Sequence, residues 1–214
     1  MVTARYVPEA SGERNRIGVF GSAFNPPQNA HLALTEAARE QFGLDRVVVV
    51  PTGDAYHKDT PSDPGSALRL AMAQAAFADL DRVDVSATEV DRIGPSYTYV
   101  TLEEIAAQYP ESEIHLIMGA DAARGFGGWK RPERILELAR VAVASRTDGD
   151  REAVRGVFET LGGGDRVRFV EMPVVDLSSS DVRERLASGS TVSDMVPAAV
   201  LEMIDNEGVY GSDQ

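Results

Sequence analysis

The chain has 214 residues, 43% of them hydrophobic, which is enough for one substantial core at the upper end of single-domain length. It contains no cysteine, which excludes disulfides, thiolate metal sites and a cysteine nucleophile and suits a reducing, cytosolic (cytoplasmic) compartment. Its 21 Lys and Arg against 34 Asp and Glu give a formal net charge of −13, which disfavours a nucleic acid or an anionic membrane surface as partner and requires any anionic ligand to find its cations gathered in one place.

Residues 1–15, MVTARYVPEASGERN, hold no apolar stretch of signal-peptide length and are expected to form a loose N-terminal extension to a single domain spanning 16–214. No later apolar run approaches the roughly 20 residues needed to cross a bilayer. A first β-branched run, Ile17 to Phe20, reads as a strand, and helical spacing of Ala and Leu follows from Leu32 to Phe42. The same alternation continues with strands at Val47 to Val50, Val83 to Val85, Ile114 to Met118, Val141 to Ala144 and Val167 to Val170. Helices are expected between them at Ala67 to Phe77, Tyr99 to Tyr109, Glu133 to Leu138 and Glu152 to Leu161. Gly162 to Gly164 read as a helix-to-strand turn, since no Lys follows to make them a phosphate cradle. Beyond Val175 the character changes: Ser178 to Ser180 precede a helix Asp181 to Ala187, and Pro197 opens a last helix ending near Gly208. Strands too continuously apolar to have a wet face, alternating with helices, predict an α/β, Rossmann-like doubly wound parallel sheet with a helical C-terminal subregion.

In such folds ligands bind at the carboxyl ends of the strands, which directs attention to the first strand-to-helix loop, Gly21 to His31. Gly21 lets main chain approach a phosphate, Pro26 and Pro27 stiffen the loop, and His31 lies in the first helical turn, where the dipole favours an anion. Taken alone, the same residues are a turn glycine and a helix-capping histidine. A second anion site is expected at Ser178-Ser179-Ser180-Asp181-Val182-Arg183, where N-capping explains the serines but not the arginine.

Phe20, Gly21, Phe24, Asn25, Pro26 and His31 resemble the nucleotidyltransferase signature G-x-F-D/N-P-x-H/T-x-x-H, with Gln28 at the position of the first His or Thr. The 178–183 segment resembles the S-S-T-x-I/V-R element with which that superfamily grips the β and γ phosphates of ATP, Ser180 replacing the threonine. Further segments resemble the bacterial nicotinate-nucleotide adenylyltransferase family. Glu89 to Leu102 is similar to E-x-x-R-x-x-P-S-Y-T-x-x-T-L and includes Arg92, Tyr97 and Thr98, and Gly119-Ala120-Asp121 is similar to G-x-D, with Trp129 following. Pro51 to Lys58 is similar to P-x-x-x-P-P-H-K, with His57 and Lys58 matching and Ala55 and Tyr56 in place of prolines, while Ser145-Arg146 is a short match near the nucleotide site.

The resemblance implies adenylyl transfer from ATP to nicotinate mononucleotide, giving deamido-NAD and pyrophosphate in NAD biosynthesis. Phe20, Gly21, Ser22, His31, Gly119, Asp121, Ser178, Ser179, Ser180 and Arg183 would then bind ATP. His57, Lys58, Arg92, Tyr97, Thr98 and Trp129 would bind the acceptor, with Trp129 stacking on the pyridine and the amides around Tyr97 and Thr98 holding the nicotinate carboxylate. His31, Gln28 and Arg183 would carry catalysis by donating to phosphate oxygens, His31 driven toward its charged form by the phosphates of the bound complex, and Mg²⁺ would be bound mainly through ATP. Adenylyl transfer to another phosphorylated acceptor such as phosphopantetheine, or a nonenzymatic nucleotide-binding role motivated by Gln28, are the competing expectations. A homo-oligomer is compatible with the sequence, as are both preferences between the acid and the amide mononucleotide.

Overall fold

The structure, a computed structural model, describes residues 15–54, 62–145, 147–173 and 177–211. Each of the six β-branched runs pairs with a neighbour running the same way. β1 (Arg16–Ser22), β2 (Arg46–Pro51), β3 (Val83–Val85), β4 (Glu113–Gly119), β5 (Ala139–Ala144) and β6 (Val167–Val170) form one parallel sheet in the order β3-β2-β1-β4-β5-β6. Side chains alternate across a strand, so a continuously apolar strand needs a cover on each face. Phe20, Val47 and Val49 enter one core; Ile17, Val19, Val48 and Val50 enter the other.

The first core lies under α1 (Asn29–Phe42), α2 (Ser66–Phe77), α7 (Ser179–Ala187) and α8 (Ala198–Glu207). The second lies under α3 (Thr98–Gln108), α4 (Ala120–Arg124), α5 (Pro132–Leu138) and α6 (Asp148–Thr160). The helical C-terminal region is therefore a layer of the main body: Val182, Val200, Ile204 and Tyr210 are buried in the same core as Phe20 and Phe24. The strands and the longer helices fall where the periodicity put them. The short α4 was not anticipated, because five residues carry too little periodicity to read. Residues 1–14 lie outside the described residues, as does the expectation attached to them. Among the described residues, no helix is long and apolar enough to cross a membrane.

Candidate active site

The sheet order reverses between β1 and β4, and the chain leaves these two strands toward opposite faces, opening a cleft above their carboxyl ends. Phe20, Gly21 and Ser22 line this cleft of about 620 Å³ from β1, and Gly119 lines it from the end of β4. A β-carbon on Gly21 would meet nothing closer than the Val50 carbonyl oxygen at 4.0 Å, and one on Gly119 nothing within 4 Å. Both positions leave backbone open to a ligand.

On the α1 side, Gln28 is the N-cap and His31 the third helical residue. The Gln28 side-chain oxygen accepts the Ala30 N–H at 3.0 Å, and the Gln28 N–H donates to His31 Nδ1 at 3.1 Å. A ring nitrogen that accepts a bond carries no proton, so the neutral imidazole is protonated at Nε2. The rings of Phe24 and Phe20, with centroids 4.9 and 5.8 Å away, pack against the half-buried imidazole, and desolvation lowers its pKa to about 4. The free protein therefore holds a neutral imidazole, and the charged form expected with phosphates bound would require Nδ1 to give up its bond from the Gln28 N–H. His31 lines the cleft as a neutral donor.

Gln28 also differs from expectation. Its Nε2 donates one proton to the Leu177 carbonyl at 3.1 Å, so the carboxamide caps α1 and fastens the loop to the segment before α7 while Gln28 also lines the cleft. Other bonds join the same two segments. Ser179 Oγ donates to the Pro26 carbonyl at 2.9 Å, Arg183 Nη1 to the Asn25 carbonyl at 2.7 Å, and the Asn29 N–H to the Met195 carbonyl at 2.9 Å. Tyr210 donates its hydroxyl to Asn25 Oδ1 at 2.6 Å, and burial pushes that phenol's pKa up, which keeps the donor protonated. The two phosphate motifs at opposite ends of the chain are therefore in direct contact. Ser178 caps α7 in a reciprocal box with Asp181, and Ser180 accepts from Arg183 Nη2 at 3.1 Å. Among the described residues the cleft wall includes Leu177, the residue before the α7 cap, but not Ser178, Ser179, Ser180 or Arg183.

The acceptor motif forms the opposite wall. Tyr97 is the N-cap of α3 and Thr98 its first residue; both line the cleft, and no side chain caps the helix amides there. Trp129 lines it too, half-buried, with its ring centroid 5.3 Å from that of Phe126. Asp121 is at the mouth in an ion pair with Arg124, which also pairs with Asp150. Arg92 does not line the cleft. It binds Thr101 Oγ1 at 3.2 Å and Glu104 at 2.5 Å, which makes it part of the framework rather than the acceptor contact expected of it. His57, Lys58 and Arg146 lie outside the described residues.

Several cleft or framework residues carried no assigned role in the sequence reading. Lys130, beside Trp129, lines the cleft and makes no ion pair among the described residues; with Lys58 it is one of the two lysines in the chain, a rarity that was a usable signal. Arg124 is a lining cation that no motif marks. Glu89 is a lining carboxylate with only 6% of its surface exposed. Arg69 is 2% exposed and donates to the carbonyls of Ala23 and Thr52, both at 2.7 Å, and of Gly53 at 3.2 Å, while its Nε pairs with Asp63 at 3.0 Å. It binds the loops after β1 and β2 to α2, and helical periodicity gives no hint of such a bond. No group of three or more His, Asp or Glu that could hold a metal ion occurs among the described residues.

Comparison with known proteins agrees with this geometry. The family described as Cytidylyltransferase-like matches residues 19–185. A protein of Albidiferax ferrireducens named "Probable nicotinate-nucleotide adenylyltransferase" is 43% identical over 195 residues, 91% of this chain and 98% of the relative. A protein of Roseiflexus sp. with the same name is 39% identical, over 91% of this chain and 97% of its own. The nicotinic acid mononucleotide adenylyltransferase of Plasmodium falciparum, solved in complex with NaAD, superposes with a TM-score of 0.74 over 92% of this chain and 98% of its own, at 15% identity, a likeness of fold. With the family match spanning most of the chain and bacterial relatives this similar along their whole length, the chain belongs to the Cytidylyltransferase-like nucleotidyltransferases and, among them, to the nicotinate-nucleotide adenylyltransferase family.

Proposed function

We propose that this protein transfers AMP from ATP to nicotinate mononucleotide, yielding deamido-NAD and pyrophosphate. The observation that carries the reading is the contact between residues 25–29 and 177–195 on one side of a cleft whose other side holds Tyr97, Thr98 and Trp129. One wall suits a polyphosphate and the other an aromatic acid, across the point where the sheet order reverses.

A 5′-phosphate oxygen of the acceptor attacks the α-phosphorus of ATP in line. A new P–O bond forms, the α–β bridging bond breaks, and its electron pair leaves with pyrophosphate, so no protein nucleophile is needed. The chain contributes position and preorganised donors. His31 Nε2–H donates to phosphate oxygens of the transferring group, with the Gln28 cap fixing which nitrogen carries the proton. Open backbone at Gly21 and Gly119 admits the nucleotide, with Phe20, Ser22 and Asp121 around it. The departing pyrophosphate is received where the cleft wall at Leu177 leads into the Ser178 to Ser180 helix start, which Arg183 holds against the loop at Asn25. Trp129 supports the pyridine ring, the α3 amides that follow Tyr97, those of Thr98 and Tyr99, take its carboxylate, and Lys130 adds positive charge on the acceptor side, a ligand to which the family resemblance also assigns Lys58 and His57. Mg²⁺ would be held mainly through the triphosphate and would supply charge neutralisation there. In the same reading residues 16–214 act as one catalytic domain in the cytosol.

The experiment is pyrophosphate release from ATP and Mg²⁺ with nicotinate mononucleotide, nicotinamide mononucleotide and phosphopantetheine in parallel. Release with the nicotinate acceptor at the highest kcat/KM is expected. Release with phosphopantetheine alone, or nucleotide binding without release on any acceptor, would overturn the reading.

A further inference from the structure

The acceptor wall contains a buried carboxylate to which the reaction assigns no work. Glu89 follows β3 by four residues and lines the cleft, 6% exposed. A carboxylate in such a place is costly unless its oxygens are bonded. Thr101 Oγ1 donates to Glu89 Oε1 at 2.6 Å, and Ser96 supplies a second side-chain bond. The direction of both bonds is set by what stands behind them. Ser96 Oγ accepts the Gly53 N–H at 3.1 Å, and Thr101 Oγ1 accepts from Arg92 at 3.2 Å, so each hydroxyl has its proton free for Glu89. Arg92 in turn pairs with Glu104, which accepts from Thr88 at 2.8 Å.

Ser96 and Thr101 flank Tyr97 and Thr98, the residues that open α3 with no side-chain cap. The Tyr97 N–H donates to the Pro95 carbonyl at 3.1 Å, and the Val100 and Thr101 N–H groups donate to the Tyr97 carbonyl, so a carboxylate holding both flanks fixes the direction in which the Thr98 and Tyr99 amides point. Gly53 extends the contact to the loop after β2: a β-carbon there would lie 2.0 Å from the Glu89 carbonyl oxygen, so the two backbones touch where only glycine fits. The Ser96 N–H also donates to the Asp54 carbonyl at 3.1 Å.

We infer that Glu89 is a positioning residue for the acceptor: by receiving the hydroxyl protons of Ser96 and Thr101 it orients the first turn of α3, and with it the amides that take the acceptor's aromatic carboxylate. The inference rests on the acceptor assignment above. Glu89 need not touch the substrate. Its contribution falls on acceptor binding and on discrimination between the acid and the amide, and not on ATP.

The test is steady-state kinetics of Glu89→Ala and Glu89→Gln with both pyridine mononucleotides, alongside thermal melting. In Glu89→Ala the KM for nicotinate mononucleotide should rise about ten-fold or more, while the KM for ATP stays within about two-fold and the preference for acid over amide shrinks. Glu89→Gln, whose carbonyl oxygen can still accept from the Thr101 hydroxyl, should recover part of the loss. Equal changes in both KM values, or an unchanged acid-to-amide ratio, would overturn the inference. Should Glu89→Ala not fold, Ser96→Ala removes one of the two bonds and must show the same acceptor-selective change, or the inference fails. Absence of turnover by the wild-type protein with either mononucleotide would instead refute the proposed reaction, so the two failures are distinguishable.

Discussion

At the scale of single residues, the most informative group is His31. Its Nδ1 is occupied by the Gln28 N–H, and burial against Phe20 and Phe24 lowers its pKa from 6.5 to about 4. The imidazole of the free protein should therefore appear in ¹⁵N NMR spectra as the neutral Nε2–H tautomer throughout the neutral range, titrating only near pH 4. A midpoint near 6.5 would contradict the geometry. The sign of the linked stability follows. Below about pH 6.5 the unfolded chain takes up a proton at this position that the folded chain refuses, so the contribution is complete above that pH and is lost as pH falls toward 4. Urea denaturation of the wild type should show this slope, and His31→Gln should flatten it. The same variant should lose roughly 10²-fold in kcat, the usual consequence of removing one preorganised donor from a developing oxyanion. The sequence marked His31 as a candidate phosphate ligand, but its protonation depends on a backbone N–H and two rings that only the folded loop brings to it.

At the scale of elements, the site is a set of loops fixed to one another by specific bonds. Gln28 caps α1 and reaches Leu177, 149 positions away in sequence. Gln28→Ala should destabilise the protein by about 1 kcal/mol for the lost cap, measured by urea denaturation, and should also lower turnover because the two phosphate segments are no longer tied there. A Gln28 serving solely as a phosphate donor would lower turnover with stability unchanged. Arg69 secures the other side of the loop. Arg69→Met conserves most of the volume but leaves the carbonyls of Ala23, Thr52 and Gly53 and the Asp63 carboxylate without their partner. The expected cost is about 3–5 kcal/mol, as for other buried charges deprived of one partner. A loss below about 1 kcal/mol would show that these carbonyls find other donors. The strands, the long helices and the positions of the loops were all legible in the sequence, because periodicity is a local property. Arg69 was not, because its role is set by three carbonyls on two loops that come together only when β1 and β2 pair.

At the scale of the whole molecule, segments far apart in sequence meet: Asn25 in the first loop is bonded to Arg183 and to Tyr210. A ligand gripped by both segments adds its binding free energy to the stability of the entire fold. ATP with Mg²⁺ at about 100 times its Kd should contribute about 2.7 kcal/mol, which for a chain of this length raises Tm by roughly 5–10 °C. Arg183→Ala should shrink that increment more than it lowers the Tm of the free protein. An increment unchanged in Arg183→Ala would mean that ATP does not depend on the C-terminal segment. The net charge of −13 makes such a concentrated site necessary, since the surface as a whole repels a triphosphate.

The sequence by itself determined the alternation of strands and helices, hence the doubly wound sheet, and it placed the phosphate and acceptor motifs on loops at the strand ends. Hydrophobic period, turn residues and motif spacing are properties of neighbouring residues and are written directly into the chain. The tertiary structure alone decided that Gln28 and Arg183 brace the loop, that His31 is neutral with its proton on Nε2, that Arg92 supports rather than lines the cleft, and that Glu89 lies buried in its wall. These facts depend on hydrogen-bond partners, on burial and on the direction each donor faces. All three are fixed only when segments distant in sequence are packed against one another.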